Sequence, residues 1–180
     1  MEQLLKENSN LINNNKILVE KETLLLIVDV QEKLIKNIKD YQLIIFNIKK
    51  LIDTCNLLNV RIAITEQNPL KLGRTLESLL GDNEYPIFEK MEFSCCKNTK
   101  FMNYIGECNF KNIIVCGIES HICILQTSND LLQQNLHILI PKDAIGSRNE
   151  IDNDTAFLRL MLSGAVPSTT ESLICELCKS

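Results

Sequence analysis

The run Leu24-Leu25-Leu26-Ile27-Val28, closed by Asp29, constrains this chain more than any other feature. A strand with one wet face alternates apolar and polar residues, so an unbroken apolar run belongs to a strand covered on both sides. Ile113-Ile114-Val115 repeats the pattern. Between such runs the apolar residues take helical spacing. The chain reads as strand Leu24 to Val30, helix Leu43 to Leu58, strand Val60 to Thr65, a short helix Thr75 to Leu80 and strand Tyr85 to Glu89. Helix Thr99 to Glu107, strand Asn112 to Cys116, helix Cys123 to Gln134 and strand Leu136 to Ile140 come next, then helix Ile151 to Ser163, strand Ala165 to Ser168 and helix Glu171 to Leu177. Strands alternating with helices predict βαβ units and a parallel sheet. The expected fold is α/β: three αβα layers around a doubly wound, mostly parallel, six-stranded sheet of Rossmann-like form.

At 180 residues and 45% hydrophobic, the chain suffices for one domain with one sizeable core. Residues 1–20 are Asn-rich and weakly periodic and are expected to form an N-terminal arm, with the domain over 21–180. A net charge of -4 and a pI near 5.3 argue against nucleic acid as a partner. No apolar run approaches a membrane span, and no basic segment followed by an apolar one opens the chain, so a cytoplasmic address is expected. The eight cysteines then read as reduced thiols rather than a disulfide framework. Cys175 and Cys178 form a C-x-x-C pair, but no second pair or nearby histidine completes a zinc site. They are expected on the last helix, partly buried. A thiol redox protein is a weaker reading, because this pair lies at the C-terminal end rather than after a first strand.

In doubly wound sheets ligands bind at the carboxyl ends of the strands, so polar residues just past a strand end become candidates. Three stand out: Asp29, Lys90 in Phe88-Glu89-Lys90, and Cys123 in Cys116-Gly117-Ile118-Glu119-Ser120-His121-Ile122-Cys123. Asp29 is either a reactive carboxylate or a cap for a helix beginning near Gln31. Lys90 is either a solvated strand-end lysine or the cation of a cleft in which a carboxylate and a thiol also converge. There it would stabilise a thiolate, or let the carboxylate take the thiol proton. Cys123 is either a small buried apolar side chain or a nucleophile on a sharp turn at the positive end of a helix. Of the two histidines, His137 opens an apolar strand, and His121 either lines the pocket or caps the turn. Two residues from Cys123, His121 is poorly placed as its base, and Asp29 is preferred.

Taken together these segments resemble the isochorismatase-like (cysteine hydrolase) family. Leu24 to Gln31 is similar to its first strand, Phe88 to Ser94 to its lysine segment, and Gly117 to Thr127 to its nucleophile turn. Asp143-Ala144, Ser147-Arg148 and Thr169-Thr170-Glu171 also fall where the family has similar residues, and the likeness spans about residue 22 onward. The resemblance implies a catalytic triad of Asp29, Lys90 and Cys123. It further implies a cis peptide bond between Ile118 and Glu119, and oxyanion donors at the backbone N–H groups of Glu119 and Cys123. Gln31, Phe93 and His121 would line the substrate pocket. Nicotinamidases of this fold carry an Asp-x-His metal cluster after the second strand, whereas this chain has Thr65-Glu66-Gln67-Asn68-Pro69-Leu70 there. Isochorismatases proper act without a cysteine at the nucleophile position, so Cys123 points to the amide-cleaving branch. That segment with Leu72-Gly73 and Thr75 most resembles the isochorismatase-domain proteins. The expectation is a metal-independent cysteine hydrolase without a cofactor. It would form a Cys123 thioester with a small amide or related carbonyl substrate and assemble as a homo-oligomer. The alternative is a catalytically silent binding or scaffold protein with the same fold.

Overall fold

The computed structural model describes residues 18–178. The sheet contains strands β1 (Thr23–Val28), β2 (Arg61–Gln67), β3 (Ile87–Lys90), β4 (Asn112–Ile118), β5 (His137–Pro141), β6 (Ile145–Gly146) and β7 (Val166–Ser168). Every pairing among them is parallel, and the order is β3-β2-β1-β4-β5-β7, with β6 paired to β4. The helices are α1 (Glu32–Ile35), α2 (Tyr41–Leu57), α3 (Pro69–Leu72), α4 (Glu77–Leu80), α5 (Thr99–Cys108), α6 (Leu125–Leu132), α7 (Glu150–Leu162) and α8 (Thr170–Cys178). This is the expected three-layer doubly wound fold. The expected 1–20 arm lies outside the described residues apart from its end, where Leu18 is fully buried in the core.

All six residues of β1 are buried, and their side chains divide by parity. Leu25 and Ile27 join Ile62, Ile64, Ile114 and Cys116 under α2 and α8, where Ile48, Leu51, Ile52, Leu173 and Leu177 close one core. Leu24, Leu26 and Val28 face the other way, onto Phe101 and Ile105 of α5 and Leu131 of α6. Helix α2 buries Ile44, Ile48, Leu51, Ile52 and Cys55, an i, i+4, i+7, i+8, i+11 stripe that leaves its other face wet. Asn98 starts α5, its side chain accepting a hydrogen bond from Phe101 N at 3.0 Å.

Three departures from the expected elements bear on the site. β2 runs two residues beyond Thr65, because Glu66 and Gln67 still pair with Glu89 and Lys90 although both are polar. β6 is a seventh strand, too short to show periodicity, and pairs with the end of β4 at Gly117 and Ile118. The helix expected from Cys123 begins earlier, as a π-helical turn Ser120–Ile124 in which the Glu119 carbonyl accepts from both Ile122 N and Ile124 N. Cys123 therefore sits inside a first turn rather than at its start. Cys175 and Cys178 are exposed on α8, not partly buried, because Leu173 and Leu177 occupy the face that meets the core.

Candidate active site

The chain moves from β1 outward to β2 and β3, then crosses back to β4 on the far side of β1, so the crevice expected of such sheets opens between β1 and β4. Gly117 allows the two to close up: it holds φ 115°, and a Cβ there would stand 2.2 Å from the Val28 carbonyl oxygen. The Ile118–Glu119 bond that follows is cis. Asp29, immediately past β1, takes a left-handed conformation at φ 54°. Its backbone N–H still donates to Thr65 O, while its side chain turns into the crevice.

There the carboxylate accepts from an oxygen donor and a nitrogen donor and also faces the Cys123 thiol. Thr65 Oγ1 donates to Oδ1 at 2.8 Å and Lys90 Nζ to Oδ2 at 2.6 Å. Asp29 is 1% exposed and caps no helix; Gln31 stands at the start of α1, without a side-chain cap. Lys90 ends β3, two strands away, and its stem carries the ammonium across β2. That ammonium is fully buried and donates to Asp29, to Gln67 Oε1 at 3.0 Å and to Cys123 Sγ at 3.7 Å. A charge so enclosed is held by its partners rather than by water.

Burial pushes the Cys123 thiol up from its ordinary value, and the Asp29 carboxylate, hydrogen-bonded to it, pushes it further; the Lys90 ammonium works in the opposite direction. Burial also works to lower the Lys90 ammonium, but Asp29 and the neighbouring thiols Cys95 and Cys123 outweigh it, and the group is raised. The raised thiol favours its protonated form, and the Asp29 carboxylate lies beside it. Of the two roles open to the cleft, base assistance fits this arrangement better than a standing thiolate.

Gln31 is fully buried and its amide is spent on backbone: Oε1 accepts from Gln67 N at 2.7 Å, and Nε2 donates to Gln67 O and Gly73 O. That is a bracing role rather than the pocket-lining one expected. Phe93 is half exposed and borders a cavity of about 510 Å³ with Ser94, Gln126, Asn129 and Asp130. A cleft of about 690 Å³ runs along β3 past Asn68, Lys90 and Met91. His121 Nδ1 meets Ser147 Oγ at 2.9 Å, and the Glu119 carboxylate accepts from Arg148 N and Nε. The segment after β6 thus holds the nucleophile turn at two points. Asp143 accepts from Thr170 N and Oγ1 and from Asn47, tying α8 to α2.

Thr65, Gln67 and Cys95 were not singled out by the sequence reading. The only signal for the first two was position, as polar residues at the end of an apolar strand. Cys95 is fully buried, its thiol 3.7 Å from Thr65 Oγ1 and raised to about 11 by burial and by Asp29. Glu66, also buried, accepts from Thr75 N, Thr75 Oγ1 and Arg74 Nη1. Among the described residues no group of three or more His, Cys, Asp or Glu is placed to hold a metal ion.

The family model of the isochorismatase domain matches residues 23–172. The chain belongs to the isochorismatase family. It is 37% identical over 163 residues to isochorismatase family protein 1A of Dictyostelium discoideum, covering 87% of this chain and 79% of that protein. A solved structure described as the MAR1 ribonuclease of Caenorhabditis elegans is 35% identical with a TM-score of 0.86, covering 91% of this chain and 84% of that one. The YcaC gene product of Escherichia coli, described as an octameric hydrolase of unknown specificity, shares the fold at a TM-score of 0.84 and 20% identity, over 92% and 83% of the two chains. Membership of the isochorismatase family supports a hydrolase.

Proposed function

We propose that this isochorismatase-family chain is a metal-independent cysteine hydrolase acting on a small amide or related carbonyl compound. The observation that carries the reading is the buried Asp29–Lys90 pair with the Cys123 sulfur 3.7 Å from the shared ammonium. Asp29 takes the thiol proton as the sulfur attacks the carbonyl carbon. The backbone N–H groups of Glu119 and Cys123 receive the oxyanion. As the tetrahedral intermediate collapses the C–N bond breaks, and the amine leaves with the proton held by Asp29. Water then attacks the thioester, giving its proton to Asp29; the C–S bond breaks, the carboxylic acid departs and the thiol is restored. Lys90 offsets the negative charge that moves between Asp29 and the sulfur.

Metal independence is supported by how the residues at the end of β2 are used. Glu66 is bound to Arg74 and Thr75, and Gln67 to Lys90 and Met91, so their oxygens already have partners inside the chain. A small substrate is supported over a polyanion by the net charge of -4. All eight thiols are free, which suits a reducing, cytoplasmic setting. Exposed Leu43 and Phe46 on α2 and Leu158 and Leu162 on α7 support a homo-oligomer. The silent scaffold is favoured by one observation, that Cys123 is only 7% exposed.

The test is intact-mass detection of an acyl adduct on Cys123 during incubation with a panel of small primary amides, with product measured alongside. Adduct and product in the native chain, both lost in Cys123→Ala at unchanged Tm, are expected. Product formation that survives Cys123→Ala rules the mechanism out, and ligand-induced thermal shifts without product favour the scaffold.

A further inference from the structure

Lys90 is held by more than the two partners the triad requires. Its ammonium has three N–H bonds and three acceptors, of which Gln67 Oε1, at 3.0 Å, is the only neutral oxygen. The Gln67 amide cannot turn round without loss, because Nε2 donates to Met91 O at 2.7 Å and only this orientation gives both ends a partner. Its backbone is fixed in turn by Gln31, whose side chain bonds Gln67 N at 2.7 Å and Gln67 O at 3.0 Å. Gln31 thereby stands in for a strand neighbour where β1 has left the sheet at Asp29. We propose that Gln67, locked by Gln31, is a positioning residue that keeps the Lys90 ammonium aimed between Asp29 and Cys123. This rests on the triad reading above.

Asp29 and Cys123 alone leave one N–H of the fully buried ammonium without an acceptor, which destabilises it as a cation. The Gln67 oxygen supplies the missing acceptor without adding charge, so Lys90 opposes the negative charge on sulfur without neutralising a second carboxylate. Replacing it with methionine keeps the length of the side chain and removes both polar ends.

The experiment follows alkylation of Cys123 by iodoacetamide against pH, site by site by mass spectrometry, with exposed Cys175 and Cys178 as controls within the same molecule. The variants are Gln67→Met, Lys90→Met and the double substitution. Lys90→Met is expected to slow Cys123 and leave the controls unchanged. Gln67→Met is expected to slow it about tenfold at pH 8 and to move the midpoint of its pH profile upward, with less than about a twofold further effect once Lys90 is gone. If Lys90→Met changes nothing, the triad itself fails. If Lys90→Met slows Cys123 but Gln67→Met does not, or if Gln67→Met acts equally in both backgrounds, the triad stands and the positioning role is overturned. Should Gln67→Met not fold, Gln67→Asn tests the same point, because it keeps the amide and the charge but withdraws the oxygen from the ammonium. Slowed alkylation with a raised midpoint supports the role, and an unmoved midpoint overturns it.

Discussion

Asp29 carries three interactions on one carboxylate, and each has its own signature on substitution. Thr65 Oγ1 holds Oδ1 in a fully buried bond. Thr65→Val keeps the shape and removes the donor, and is expected to cost about 1–2 kcal/mol of stability by chemical denaturation and to slow turnover. Asp29→Asn separates two roles that the native chain combines. The carboxylate holds the Cys123 thiol up, so its loss moves the pH midpoint of Cys123 alkylation downward; in the proposed mechanism it is also the base, so hydrolysis is expected to disappear. Turnover that persists in Asp29→Asn would show that the proton goes elsewhere. In the native chain both burial and Asp29 raise the thiol, so a pH profile limited by thiol ionisation rises through and beyond the ordinary thiol value of 9.0 rather than levelling below it.

At the scale of elements, the site depends on how β1 and β4 meet, and the core on the face away from Cys123 depends on how α8 is attached. Gly117→Ala would place a methyl group 2.2 Å from the Val28 carbonyl at a φ of 115°, where neither strand can yield without losing its pairing. A loss of more than about 3 kcal/mol, read from urea unfolding, is expected. Asp143 is the counterpart on the other face. Its Oδ1 accepts from the first N–H of α8, and its backbone carbonyl accepts from Asn47 of α2. Asp143→Ala is expected to cost about 1–2 kcal/mol and to raise hydrogen exchange in α8 before it does so in the central strands.

Across the whole molecule, burial of thiols ties stability to pH. Burial raises Cys55 and Cys96 to about 12, from an ordinary value of 9.0. Because the folded state holds these protons longer than the unfolded chain, their contribution is fully present below pH 9 and is lost as pH rises toward 12. Tm is therefore expected to fall steadily above pH 9, and Cys55→Ala should flatten part of that decline. A Tm flat to pH 10.5 would contradict it. The surface makes a second expectation. Leu158 and Leu162 of α7 and Leu43 and Phe46 of α2 are all more than half exposed. Light scattering is expected to give a mass above the 20.5 kDa of one chain, lowered by Leu158→Lys with Leu162→Lys.

What the sequence determined on its own was the layering. Unbroken apolar runs such as Leu24–Val28 tolerate no wet face, so a parallel sheet between helices follows from hydration alone. The same logic made Asp29, Lys90 and Cys123 conspicuous, each standing where such a run ends. β6 was not legible, because two residues have no period, nor was the π-helical turn, which depends on one carbonyl accepting twice. Only the tertiary structure decided which strand ends face one another. Thr65 and Gln67 acquire their roles because β2 lies between Asp29 and Lys90, and Gln31 acquires its bracing role because β1 turns away beside Gln67. Those roles are contacts across more than 20 residues of chain, made by hydrogen bonds whose strength depends on burial, and local pattern carries no information about either.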